Sequence, residues 1–369
     1  MTYCCAFKYL DSIFLYSDSA LSIEAEVNNL PATTSFGEKT VTGKNESIYE
    51  SMLKIFEISS QCFVAIAGCV DRAIEFVRIL KQAHKNKQDF EKTIVDLNNT
   101  LFGAENPKDR VELIIANYDK AGAKLYKWNS ANRNLIVQHE YCGIGSLPDD
   151  YAKPIIRLQS FLTESNNIYK DALLVGMAAG LQSVSIKENF LTKHNVGGAI
   201  TGVEINQTGS NWLDDTAYIL TGDDGVPSGY VLLLNRPNGF STKSSFDMEP
   251  RYFTNTATPM DHNAWLKKWK TSIDHVFSLT VAKNWVFMNT SRNLIVIVQS
   301  KHATSKTSVS QVVMRKGSKQ IKLHDAVVAI TSNPRGNGIF IFPDSTAKRR
   351  IEAVATREMV FQLLQGQSK

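Results

Sequence analysis

The chain has 369 residues, 43% hydrophobic and 21% charged, with a formal net charge of +5. That balance excludes a disordered or collagen-like chain and fits one large domain or two. No run approaches the ~18 apolar residues of a membrane span, and the N-terminus has no basic region followed by an apolar stretch and cleavage site. The small positive excess does not by itself imply nucleic acid. Five cysteines, Cys4, Cys5, Cys62, Cys69 and Cys142, sit in or beside apolar runs without zinc-type spacing. They read as small buried hydrophobes of a reducing compartment. The expectation is a cytoplasmic protein with no metal, no cofactor and no membrane partner.

Two β-rich runs, 3–10 and 12–19, flank Asp11 as a hairpin. Residues 25–48 are polar, with Pro and Gly, and read as a long functional loop. The runs 54–59 and 62–68 form a second strand pair ending at Gly68. Val70, Ile74, Val77 and Leu80 recur at helical spacing over 69–84, and 89–102 repeats that pattern. Strands are expected at 111–119, 124–129 and 134–146, helices at 151–163 and 169–187, and a strand at 197–206. This alternation predicts two packed sheets with helix pairs on both outer faces. From about 220 the character changes. GDDGVPSG (222–229) marks a boundary, followed by strands at 276–289, 293–300, 310–332 and 338–344 and a closing helix over 345–365. Two domains follow, 1–220 and a mostly-β accessory or interaction domain over 221–369.

The first residues carry the chemical signal. Thr2 is small enough for Met1 to be clipped, which would place a hydroxyl and a free α-amine on one residue. An amine can then serve as the base for its own hydroxyl. Thr2, Ala6, Phe7 and Lys8, the Asp18-Ser19 pair, and Lys54 opening a run that closes at Gly68 stand in the register of one known family. CGIGS (142–146) and VGGAITGVEI (196–205) continue the match. Over residues 2–206 the chain resembles the proteasome β-subunit and HslV-like N-terminal-nucleophile (Ntn) hydrolases. The resemblance implies an α+β, four-layer αββα sandwich. It also implies a threonine peptidase or amidohydrolase acting on peptide or protein substrates.

By that resemblance Thr2 supplies the attacking Oγ, Lys54 favours the alkoxide by its charge, and Asp18 pairs with Lys54. Gly68 gives a backbone N–H to the oxyanion, while Ser146 is a candidate to serve the proton relay in place of the family's own groups. Leu21, Met52, Phe56, Ile66, Val70 and Ile74 would wall a hydrophobic specificity pocket. Each residue also has an ordinary structural role open to it. Thr2 is a common second residue, Asp18 suits a strand-end turn, and Lys54 a solvated edge. Gly68 suits a helix start, and the six apolar residues suit a core.

The chain departs from the family pattern at Ile144, where a Ser is usual, and at Lys193 and Val196, where an Asp and a Ser support the amine. The segment between Asp18 and Lys54 is also longer than in the family. Either other groups take over, among them Ser146, Asn195 or the 25–48 loop, or the site has lost catalysis. The alternative is therefore an inactive scaffold or sensor that binds a partner through the C-terminal domain. A homo-oligomer or a partner protein bound by that domain is the expected assembly. The Trp-Lys segment 260–270 reads as a half-buried helix or an interaction face. Basic clusters at 315–322 and 347–350 read as a hairpin turn and a helix start rather than a nucleic-acid surface. His262, His275, His302 and His324 lack metal spacing.

Overall fold

A computed structural model describes residues 2–27, 30–86, 88, 91–94, 96, 109–132, 135–138, 140–147, 156, 159–160, 163, 170–221, 227, 229–236, 238–255, 267, 282–290, 294–299, 309–315, 318–323, 326–330 and 338–343. The opening hairpin is β1 (Tyr3–Tyr9) and β2 (Ser12–Ser17), paired antiparallel with Cys4 opposite Ser17. After it come β3 (Ala20–Ile23), β4 (Val41–Thr42) and β5 (Ser47–Glu50), which form a small sheet in the order β3-β5-β4. The expected loop over 25–48 thus carries strands of its own.

β6 (Ile55–Ser59) and β7 (Cys62–Gly68) pair as expected, and α1 (Val70–Lys85) follows. Ala73, Phe76, Val77, Leu80 and Ala83 form its buried stripe, at the spacing that puts side chains on one helical face. Asp71 in the first turn and His84 and Lys85 in the last suit the helix dipole. The stripe packs on Phe56, Val64, Ile66 and Trp128. Burying Phe76, Val77 and Leu80 contributes about 1.5–3 kcal/mol each.

β8 (Val111–Asp119) and β9 (Gly122–Asn129) continue that sheet. The single strand expected over 134–146 is two, β10 (Leu135–Gln138) and β11 (Tyr141–Gly145), and they belong to different sheets. α2 (Lys170–Glu188), α3 (Phe190–His194), β12 (Thr201–Asn206) and β13 (Gly209–Trp212) complete the part with the family resemblance. Two five-stranded sheets result, β11-β1-β2-β12-β13 and β10-β9-β8-β7-β6. Cys4 Sγ donates to Ile66 O at 3.5 Å across the gap between them.

Further on, β14 (Thr216–Thr221), β15 (Gly229–Arg236), β16 (Gly239–Ser244), β17 (Asp247–Thr254), β18 (Asn284–Asn289), β19 (Leu294–Gln299) and β23 (Gly338–Pro343) build a seven-stranded sheet in the order β17-β16-β15-β14-β18-β19-β23. β20 (Val309–Arg315), β21 (Ser318–Leu323) and β22 (Ala326–Ile330) form an antiparallel three-stranded sheet.

The expected fold class is corrected by this arrangement. The described residues are mostly antiparallel β-sheet, with several sheets and few helices among them, and not an αββα sandwich with helical layers. Helix α2 shows the physical reason. Leu173 through Ser183 are buried without a break, so this helix has no solvent face to offer an outer layer. It packs on β12 of the first sheet and on β18, β19 and β23 of the seven-stranded sheet, within one continuous core. A helix expected over 169–187 does not by itself reveal the second contact.

Of the expected helix over 89–102, residues 91–94 and 96 are described and helical; over 151–163, residues 156, 159–160 and 163 are. The closing helix over 345–365, the basic cluster at 347–350 and the four histidines named above lie outside the described residues, as does the 260–270 segment apart from Lys267.

Candidate functional site

Thr2 precedes β1 and is buried. Strand alternation puts it on the face it shares with Cys4 and Ala6, which looks toward β7. Its carbonyl accepts the Ser146 N–H at 2.8 Å. Gly145, at φ +100°, makes that approach possible, because a Cβ there would stand 1.8 Å from Thr2 O. The Gly145 N–H donates to Glu112 Oε2 at 2.8 Å, and Lys127 Nζ donates to Gly143 O at 2.8 Å. Side chains of the facing sheet therefore hold the strand end that holds Thr2.

Asp18 sits just past β2. Its N–H donates to Tyr3 O at 3.1 Å, and Tyr3 N–H donates back to Asp18 Oδ1 at 3.0 Å. Lys54 sits just before β6, where its carbonyl accepts the Ile66 N–H at 3.1 Å. From there Lys54 Nζ donates to Asp18 Oδ1 at 2.6 Å, with side chains 1% and 0% exposed. Asp18 Oδ2 accepts the Gly197 N–H at 3.0 Å. Each carboxylate oxygen is therefore engaged, which is what allows a charge to persist without water. The same pair reaches the Cys4 thiol electrostatically, though burial is the stronger effect and raises that thiol's pKa well above its ordinary value.

Gly68 closes β7 at φ +91°, opposite Val111. A Cβ there would fall 2.2 Å from Arg110 O, so the turn into α1 needs glycine. Phe56 and Ile66 are sealed in the core beneath α1, with Met52 and Ile74 packed at its edge; Leu21 and Val70 are half-buried. Ile144 and Val196 are core residues, and Lys193 is exposed on α3. The structure thus draws Thr2, Asp18, Lys54 and Ser146 together, and it leaves Lys193 in solvent.

Sequence reasoning missed a second set of groups. Glu38 and Glu50 are both buried. Glu38 accepts from Gly198 N–H at 2.8 Å, Thr34 Oγ1 at 3.1 Å and Ser185 Oγ at 3.1 Å. Glu50 accepts from Ala199 N–H at 2.6 Å, Ser19 Oγ at 3.0 Å, Ser35 N–H at 2.7 Å and Ser35 Oγ at 2.6 Å, and from Arg251 at 3.2 Å. Burial, opposed by the Gly198, Thr34 and Ser185 hydrogen bonds and aided by Glu50, pushes the Glu38 carboxyl up to about 7. The available signal was the Ser/Thr-rich stretch Thr33-Thr34-Ser35 ahead of Glu38, a turn former with donors to spare.

A cavity of about 450 Å³ opens beside Glu38, lined also by Lys39, Ile186, Leu191, Thr192 and Pro227. Another, of about 870 Å³, lies over the hairpin turns at Ser60 and Lys120.

No protein-family model matches the chain. No curated protein matches it significantly. Among the described residues no helix is long and apolar enough to cross a membrane, and no group of three or more His, Cys, Asp or Glu is placed to hold a metal ion.

Proposed function

We propose that the chain hydrolyses amide (peptide) bonds, with Thr2 Oγ as the nucleophile once Met1 has been removed. The observation that carries this reading is the buried Lys54–Asp18 pair, tied by Asp18 Oδ1 to the amide that follows Thr2. A fully buried ion pair is seldom the most stable choice for a core, because desolvation offsets its attraction. Its retention beside a hydroxyl residue is accounted for by chemistry.

In the reaction the Thr2 α-amine, whose ordinary pKa is about 7.7–8.0, takes the Oγ proton. Oγ adds to the substrate carbonyl, and the Lys54 charge favours the developing anions. The backbone N–H of Gly68 is assigned to the oxyanion. Collapse breaks the C–N bond, the leaving amine takes the proton from the Thr2 ammonium, and an acyl ester remains on Oγ. Water then attacks the ester by the same route, the acid leaves, and Thr2 is restored. Met52, Ile74, Val70 and Leu21 are half-buried, and by the resemblance they would receive an apolar substrate side chain.

A second reading rests on the burial of Thr2 itself, 3% exposed, and of Phe56 and Ile66. A buried hydroxyl fits a scaffold or sensor that works through the C-terminal strands. Intact mass of the untagged protein, with and without a β-lactone probe, separates the two. Loss of Met1 and an adduct on Thr2, absent in Thr2→Ala, supports the hydrolase. A free Thr2 that never reacts, or a retained Met1, supports the scaffold.

A further inference from the structure

Three successive backbone amides, those of Gly197, Gly198 and Ala199, each donate to a different buried carboxylate: Asp18, Glu38 and Glu50 respectively. The next amide, Ile200, donates to Gln182 Oε1, and Gln182 Nε2 returns a bond to Gly198 O. Gly198 has φ +72°, and a Cβ on it would lie 2.5 Å from Ser19 Oγ and 2.9 Å from Glu50 Cγ. A run of consecutive N–H groups of this kind is a concave anion holder, and here its anions belong to the protein. We propose that Glu38 and Glu50 are positioning residues for the Asp18–Lys54 pair, acting through the Gly197–Ala199 backbone. The inference rests on the hydrolase reading for its purpose, and on the hydrogen bonds alone for its existence.

Glu50 fixes the far end of the run and is itself held by Ser35 and by Arg251 of the seven-stranded sheet. Glu38 holds the middle and borders a cavity. Among the charged groups around it, Glu50 raises its proton affinity. Lys39 lines the same cavity, Lys187 and Glu188 lie on α2, and Lys193 and His194 lie on α3, whose Leu191 and Thr192 complete the lining. Arg251 stands behind Glu50, and Asp18 lies one amide away. Protonating Glu38 weakens its bond from Gly198, and Gly197 and Asp18 move with that turn.

The test follows the amide resonances of Tyr3, Gly197, Gly198 and Ala199 in the full-length protein from about pH 5.5 to pH 8.5, a range set by the carboxyl midpoint near 7. Gly197 is the discriminating reporter, because it donates to Asp18 and not to Glu38, whereas Tyr3 also follows the α-amine of Thr2. The expected result is one shared midpoint for Gly198, Gly197 and Tyr3, lost in Glu38→Gln and kept in His194→Gln. A Gly198 that titrates alone, or a Gly197 midpoint that survives Glu38→Gln, overturns the proposal. Should that variant fail to fold, the native titration still decides. Glu50→Gln should displace Gly197 and Tyr3 at every pH, and unmoved resonances overturn its part. The rate of Thr2 acylation by the β-lactone should show the same inflection. If native Thr2 is never acylated, the hydrolase reading falls while the amide titration still decides the coupling.

Discussion

Replacing Lys54 by Met removes the ammonium and leaves Asp18, 0% exposed at its side chain, with two backbone donors and no counter-charge. Breaking a buried pair from one side costs about 3–5 kcal/mol, and the two remaining N–H bonds place the expected loss toward the lower figure. Adding Asp18→Asn removes the stranded charge. An Asn carries one acceptor oxygen, so it can satisfy Tyr3 or Gly197 but not both, and one orphaned amide costs about 1–3 kcal/mol. The double variant is therefore more stable than Lys54→Met alone, and the two changes couple by a kilocalorie or more. Urea denaturation of the native protein, both single variants and the double provides the cycle. A Lys54→Met loss below about 1 kcal/mol, or strict additivity of the two changes, would refute the view that this pair is a buried, interdependent unit.

Other outcomes follow from the same geometry. Gly145→Ala puts a methyl against Thr2 O at a left-handed φ. It should cost about 1–3 kcal/mol from backbone strain alone, lower the melting temperature and abolish Thr2 acylation; unchanged acylation counts against Gly145 as the seat of Thr2. Glu38 binds its proton more tightly folded, at about 7, than its ordinary 4.5 allows. The native state therefore holds the extra proton between those values, and its contribution is full below about 4.5 and lost as pH rises through about 7. At ~1.4 kcal/mol per pH unit the loss is about 3 kcal/mol. Glu38→Gln should flatten that part of a stability–pH curve from denaturant midpoints, and an unchanged slope rejects the assignment. Cys5, Cys62 and Cys142 are buried and their thiols are pushed up to about 12 by burial, while Cys69 is half-exposed. Native iodoacetamide labelling read by peptide mass should modify Cys69 first, and prompt modification of Cys5 would contradict the packing of β1.

The local patterns that were legible are those whose nearest partner is adjacent in sequence. The β1–β2 and β6–β7 hairpins and the stripe of α1 each declare themselves within one window of sequence. Thr2, Asp18 and Lys54 stood out because their spacing resembles a known arrangement, and of the three the structure pairs Lys54 with Asp18. What escaped depends on distant partners. Helix α2 is apolar all round because a later sheet covers it, and β10 and β11 read as one strand because the two residues between them are unremarkable. Glu38 meets Gly198 from 160 positions away, and Glu50 meets Arg251 from 201. Polar loop residues facing such partners look the same in sequence as residues facing water.

The order of strands also has a consequence for synthesis. β1 lies between β2 and β11, and β2 between β1 and β12, so the first hairpin leaves the ribosome with both edges bare. Its partners arrive only with Tyr141 and Thr201. Gly197, which completes the bonds of Asp18, emerges long after Lys54; at ~5–20 residues per second the wait is on the order of ten seconds. For that interval two apolar strands carry open hydrogen-bonding edges, the surface on which chains pair wrongly with one another.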